Sequence, residues 1–267
     1  MNQLRALVRL VFIVSVVLFG MLVIFLFGWL PIRIPSRREE GVRLPVSIIR
    51  LMIHIFSWVF NVKFSCTDSE KLAQHQGFLF PNHVSFLDIL IILAETPARF
   101  LSAIEVRQRF GLGWLTATAD TIYVTRDNTE SRLQVRKAVA EAFYSTPHLP
   151  IVLYPEGKLG PGDRLLPFRH GAFEIAAQNS IPYLPCAIRY SQPELVVWHG
   201  GRGESLTSAV WRFAQFPGPL YAEFIPLETV YPTPDDEPAV LAKEAQHDIT
   251  VAMGFPIDQT EVLNTVT

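Results

Sequence analysis

Leu10 to Leu30 is a run of 21 residues without a charged side chain, and no other feature limits the fold so strongly. About 20 apolar residues in a helix cross a bilayer core. A buried core helix rarely carries so long an uncharged run. A cleaved signal peptide has a shorter apolar stretch and ends in small residues. Here Pro31-Ile32-Arg33-Ile34-Pro35 follows, and Trp29 stands at one end as an interfacial anchor would. The sequence therefore predicts an uncleaved single-pass anchor. Arg33, Arg37, Arg38 and Arg43 follow it, against Arg5 and Arg9 before it. That asymmetry places the rest of the chain on the cytoplasmic face of the membrane.

A second apolar segment runs from Val46 to Val62. Its polar residues Ser47, Arg50, His54, Ser57 and Asn61 fall at spacings of 3, 4, 3 and 4, which is one narrow stripe on a helix. The small polar share favours a membrane-embedded or surface-lying helix over an amphipathic helix docked on the domain. Residues 1–65 carry eight Lys/Arg and two Asp/Glu, whereas residues 227–267 carry one Lys and eight Asp/Glu. The net charge of −2 argues against a nucleic-acid binder. Cys66 and Cys186 match no metal or redox spacing, as expected of a reducing compartment.

From about Cys66 the pattern changes to short apolar runs alternating with helix-like stretches. Gly77–Phe80, Arg99–Ile104, Thr121–Thr125, Ile151–Tyr154 and Tyr183–Arg189 read as strands, with Leu220–Ile225 as a late addition. Phe86–Glu95, Ser131–Ser145, Ala172–Asn179 and Leu241–Met253 read as helices. Such alternation predicts an α/β fold with a mixed, partly parallel sheet flanked by helices. The expected organisation is an anchor and amphipathic helix over 1–65, an α/β domain over 66–230, and an acidic linker with a last helix over 231–267.

Asn82-His83-Val84-Ser85-Phe86-Leu87-Asp88 carries the chemistry. A neutral imidazole can take a proton from an alcohol near pH 7, and a nearby carboxylate can hold its tautomer. No Ser or Cys nucleophile motif accompanies the pair, so an acceptor's own hydroxyl is the expected nucleophile. A plainer reading makes Ser85-x-x-Asp88 a capping box that only starts a helix. The two are compatible, since a helix begun at Ser85 would hold Asp88 while the preceding turn folds His83 back onto it. His83, Arg126 and the Glu156-Gly157-Lys158 turn each follow a predicted strand, and ligands of α/β sheets bind outside strand carboxyl ends. Arg126 also reads as a surface ion pair with Asp127 or Asp120, and Pro155-Glu156-Gly157 as only a turn.

Taken together, these residues resemble the glycerolipid acyltransferase family, the type that includes bacterial 1-acylglycerol-3-phosphate acyltransferases. Asn82-His83 with Asp88 is similar to the family's N-H-x-x-x-x-D block. Ile122-Tyr123-Val124-Thr125-Arg126 resembles the second block, with Asp120 where a glycine usually opens it. Tyr154-Pro155-Glu156-Gly157 resembles the third, F-P-E-G-T-R-S, with Lys158-Leu159 in place of its Thr-Arg. Phe168-Arg169-His170-Gly171-Ala172-Phe173 resembles its F-K-x-G-A-F continuation, and Ile181 to Ile188 the fourth block.

The resemblance implies a membrane-bound O-acyltransferase that moves an acyl group from acyl-CoA or acyl carrier protein to a lysophospholipid hydroxyl, with 1-acylglycerol-3-phosphate favoured. It assigns His83 as base, Asp88 as its support, and Arg126 to the acceptor phosphate. Glu156 and Gly157 form the site's floor, and Lys158 is a partial substitute for the missing arginine. It implies no metal or redox cofactor. Three alternatives keep the same residues: another lysolipid head group, an inactive lipid-binding scaffold, and a membrane-anchored hydrolase.

Overall fold

Near-continuous apolar runs in the central strands, Phe78–Pro81, Ile151–Val152 and most of Tyr183–Tyr190, require a sheet covered on both sides, and the chain builds one. The computed structural model describes residues 2–35, 41–107, 121–124, 129–198 and 203–256. The chain opens with α1 (Asn2–Phe27), a small antiparallel hairpin of β1 (Arg33–Ile34) and β2 (Val42–Arg43), and α2 (Leu44–Phe60). There follow β3 (Val62–Cys66), α3 (Ser69–Gln74), β4 (Phe78–Pro81), α4 (Asp88–Glu95), β5 (Arg99–Ala103), α5 (Ile104–Arg107) and β6 (Ile122–Val124). The rest comprises α6 (Thr129–Ser145), β7 (Ile151–Val152), α7 (His170–Gln178), β8 (Tyr183–Tyr190), α8 (Pro193–Val196), α9 (Leu206–Gln215), β9 (Leu220–Pro226) and α10 (Pro238–Met253).

The described strands form a seven-stranded sheet in the order β3-β9-β8-β4-β7-β5-β6. Strands β8, β4, β7, β5 and β6 run parallel to one another. β9 is antiparallel to β8, and β3 is parallel to β9. This is the mixed, partly parallel sheet read from the sequence. Side chains alternate between two cores with the period of two that a strand imposes. Leu79, Val152, Leu184 and Ile188 face a core shared with α2, α4 and α9. Phe78, Phe80, Ile151 and Tyr183 face a second core with α6, α7 and α10.

The expected boundary after residue 65 falls inside β3, which pairs with β9 from Val62↔Leu220 to Cys66↔Phe224. No linker marks the junction. Asn61 ends α2 in the left-handed conformation (φ 55°, ψ 44°) and turns the chain straight into the strand. The last helix is likewise part of the body, since Leu241, Ala245 and Ile249 are buried in the second core.

The N-terminal helix α1 is 26 residues long and apolar enough to cross a membrane. It packs antiparallel to α2. Arg9 lies 5.6 Å from the Phe60 ring, and Gly20 lets α1 approach so closely that a Cβ there would sit 2.3 Å from the Met52 sulfur. Arg5 donates to the Gln215 carbonyl at 3.2 Å, and Arg9 donates to the carbonyls of Ala214 and Phe216, so the start of α1 caps the end of α9. Its other face exposes Leu18, Phe19, Leu22 and Phe25. The segment read as Val46–Val62 packs one face on the domain. Arg50 of the polar stripe points inward and donates to the carbonyls of Leu93 (2.9 Å) and Ala94 (2.7 Å) at the end of α4. Leu51, His54 and Trp58 form its outward edge.

Candidate active site

The site is assembled where β4, β7 and β8 end. β4 stops at Pro81, and the Asn82 side chain continues its pairing. Asn82 donates to the Ile188 carbonyl at 3.1 Å and accepts from the Ile188 N–H at 2.7 Å. A buried amide satisfied on both sides fixes the first residue of the loop against β8. Ser85 fixes the far end of the loop by donating to the Val196 carbonyl at 2.8 Å and accepting from Leu87 N–H at 3.1 Å. The turn between them brings Asp88 back under His83.

Asp88 is the first residue of α4 and is fully buried. Its Oδ2 accepts from His83 Nδ1 at 2.8 Å, from Val84 N–H at 2.8 Å and from Ser85 N–H at 2.9 Å. Its Oδ1 accepts from the Tyr190 hydroxyl at 2.6 Å. The helix begins at Asp88, two residues later than the expected Phe86. Asp88 reaches the Ser85 N–H as a capping-box acid would. Leu87, not Ser85, stands at the helix N-cap, however, and no side chain caps the helix, so Asp88 braces the turn that precedes α4.

Because that carboxylate only accepts, the His83 proton sits on Nδ1, and Nε2 keeps its lone pair. The imidazole lies against the Tyr154 ring, centroids 3.9 Å apart and planes at 20°. The side chain is 20% exposed, which leaves one edge open to a substrate. Its main chain is clamped on both sides. His83 N–H donates to Glu156 Oε1 at 2.8 Å, and the His83 carbonyl accepts from Gly160 N–H at 2.6 Å.

Glu156 is 2% exposed, and its Oε2 accepts from Leu166 N–H at 2.9 Å. Burial pushes its carboxyl up to about 7, against the pull of the two N–H donors and of His83. A Cβ at residue 160 would lie 2.7 Å from Glu156 Oε2, so glycine is needed there. The hydroxyl of Tyr154 is buried without a hydrogen-bond partner, and burial raises its pKa. Gly157 and Lys158 are exposed on the turn beside these groups. Arg126 lies outside the described residues; the strand before it, β6, runs parallel to the others at the sheet edge. Among the described residues, no group of three His, Cys, Asp or Glu side chains is placed to hold a metal ion.

Sequence reading missed Tyr190 and the roles of Asn82 and Tyr154. Tyr190 is 102 residues from Asp88, so no local pattern marks the pair. Asn82 and Tyr154 were legible only as positions within blocks.

Residues 63–189 match the family model described as Acyltransferase. The chain is 26% identical over 211 residues to human 1-acyl-sn-glycerol-3-phosphate acyltransferase alpha, covering 76% of this chain and 68% of that protein. It is 34% identical over 109 residues to the lyso-ornithine lipid O-acyltransferase of Pseudomonas aeruginosa, covering 41% of each. The match to the Neisseria meningitidis 1-acyl-sn-glycerol-3-phosphate acyltransferase is 29% over 109 residues, again under half of each chain. The crystal structure of the 1-acyl-sn-glycerophosphate acyltransferase PlsC from Thermotoga maritima superposes with a TM-score of 0.69 at 18% identity, covering 94% of this chain and 96% of that one. The segment that matches the Acyltransferase family model contains His83, Asp88 and Glu156, and it lies on a fold shared with the Thermotoga maritima acyltransferase.

Proposed function

We propose that the protein is a membrane-bound O-acyltransferase that acylates the free hydroxyl of a lysolipid, 1-acylglycerol-3-phosphate first among candidates, with acyl-CoA or acyl carrier protein as donor. The observation that carries this reading is the His83 Nδ1 to Asp88 Oδ2 hydrogen bond at 2.8 Å, with Nε2 left to act. Nε2 takes the acceptor's hydroxyl proton as the oxygen attacks the thioester carbonyl. The imidazolium gains support from Asp88 and from the Tyr154 ring face. The tetrahedral intermediate then collapses, the carbon–sulfur bond breaks, and Nε2 returns the proton to the leaving thiolate. An N–H of the Glu156-Gly157 turn is the candidate donor to the oxyanion. Arg126 and Lys158 are the cations assigned to the acceptor's phosphate.

A lysolipid with another head group is the second reading. Lys158-Leu159 stands where the family's Thr-Arg is usual, and a relative with 34% identity acts on lyso-ornithine lipid. The membrane role rests on the exposed Leu and Phe side chains of α1 together with Trp29 and Trp58. The single crossing expected from sequence, with the domain on the cytoplasmic face, carries a structural condition. The start of α1 is tied to α9, and the hairpin after it lies beside Arg99 and His148 of the domain. A crossing therefore requires α1 to part from α9; otherwise α1 lies along the domain within one leaflet.

Purified protein in detergent, given a panel of lysolipids with acyl-CoA or acyl carrier protein thioester, tests the reading by mass spectrometry of the lipids formed. The expected product is phosphatidic acid, dependent on added lysolipid and lost in His83→Ala. Thioester hydrolysis without lysolipid would mean a hydrolase, and no turnover of any acceptor would mean a scaffold.

A further inference from the structure

The Glu156-Gly157 turn does more than hold His83. Gly157 has φ +69°, and a Cβ there would lie 2.7 Å from Nε, 2.9 Å from Cδ and 3.1 Å from Cζ of Arg169. The Arg169 guanidinium thus lies directly against the glycine's backbone, an approach that only glycine permits. The Arg169 main chain is tied to the same turn, its N–H donating to the Pro155 carbonyl at 2.9 Å. Between these two contacts stands Glu156, which holds His83 N–H at 2.8 Å. The main chains of Arg169 and His83 are therefore both tied to one short turn.

Arg169 is exposed, and among the described residues no carboxylate pairs with it. Other nearby arginines are used. Arg164 pairs with Asp163 at 3.2 Å, and Arg136 occupies Glu174, the acid on the helix that Arg169 caps. A guanidinium that lies over the Gly157 backbone, free of an acidic partner among the described residues and set beside the exposed Lys158, offers its planar fork to an anion. Lysine cannot supply that bidentate geometry, and residue 159 of the turn is a leucine.

We propose that Arg169 is a specificity-determining residue of the site and that its guanidinium binds the phosphate of the lysolipid acceptor, with Lys158 adding a point charge. This rests on the acyltransferase reading above and names the group that selects its acceptor. Phosphate is also carried by coenzyme A, so the test separates the two substrates.

Steady-state kinetics on wild type, Arg169→Lys and Arg169→Ala are measured twice, varying 1-acylglycerol-3-phosphate at saturating acyl-CoA and then the reverse. A charge-assisted bidentate contact predicts an acceptor KM roughly tenfold to a hundredfold higher in Arg169→Ala. Arg169→Lys should fall between, and the acyl-CoA KM should stay within about threefold of wild type. The preference for 1-acylglycerol-3-phosphate over monoacylglycerol should fall with the acceptor affinity. Thermal melting of both variants checks the fold, and the lysine variant carries the test if the alanine variant melts early. An unchanged acceptor KM in active variants overturns the proposal, as does a rise confined to acyl-CoA. A wild type inactive on every lysolipid instead overturns the acyltransferase reading itself.

Discussion

Glu156→Gln separates electrostatics from hydrogen bonding at the centre of the site. The unfolded carboxyl titrates near its ordinary 4.5, whereas burial holds the folded one at about 7. Between those values the unfolded chain has lost a proton that the folded chain keeps. Stability therefore falls as pH rises through this window and levels off above about 7. The size follows from 1.36 kcal/mol per pKa unit, giving roughly 3 kcal/mol in all. Screening removes little of it, because the side chain is 2% exposed. Glutamine has no proton to lose, so this slope vanishes in the variant. The substitution also leaves one of two N–H donors, His83 or Leu166, facing an amide NH₂. That costs about 1–3 kcal/mol at every pH.

The two effects differ in kind, one a slope and the other a constant offset. Thermal melts of wild type and Glu156→Gln from pH 4.5 to 8 should show the variant less stable in acid and the gap closing by roughly 5–10 °C toward neutrality. All other carboxylates titrate in both proteins and cancel in the difference. Parallel curves would refute the reasoning. They would mean that the His83 and Leu166 N–H donors outweigh burial and that Glu156 is ionised throughout.

Further expectations concern the catalytic pair and the membrane helix. His83→Ala should lower kcat by roughly 10²–10⁴-fold with its melting temperature little changed, read by lipid product formation and circular dichroism. Asp88→Asn should lose similar activity and also stability, about 1–3 kcal/mol, since its Oδ2 accepts three donors; full activity with lower stability would make it a structural brace alone. Tyr154→Phe should retain most activity, because the hydroxyl has no partner, whereas Tyr154→Leu should lower kcat by removing the ring that stacks on His83. Single cysteines at residues 40 and 100 should both label from the cytoplasmic side in intact membranes, and labelling of both only from outside would invert the topology.

The sheet was legible because its strands are short apolar runs bounded by turns, a pattern that survives without tertiary information. The His83–Asp88 pair was legible because five residues bring both groups into one loop. The inward turn of Arg50 was not. A narrow polar stripe on an apolar helix reads as facing water or head groups, but the carbonyls ending α4 need donors, and Arg50 supplies two. Sequence periodicity fixes which residues share a face and is silent on what that face meets. The same limit hid Tyr190, which reaches Asp88 across the sheet from the end of β8.

Of the two readings of Ser85-x-x-Asp88, the capping box is not what forms: Leu87 is the helix N-cap, and the Asp88 carboxylate turns back onto the preceding loop. The main-chain donors Val84 and Ser85 fix its position, and the same Oδ2 also accepts from His83 Nδ1. The bonds that hold the loop before α4 therefore also orient the imidazole. On the proposed mechanism, activity is consequently coupled to local folding of this loop and the start of α4. A perturbation that frays the first turn of α4 should lower activity before it lowers global stability.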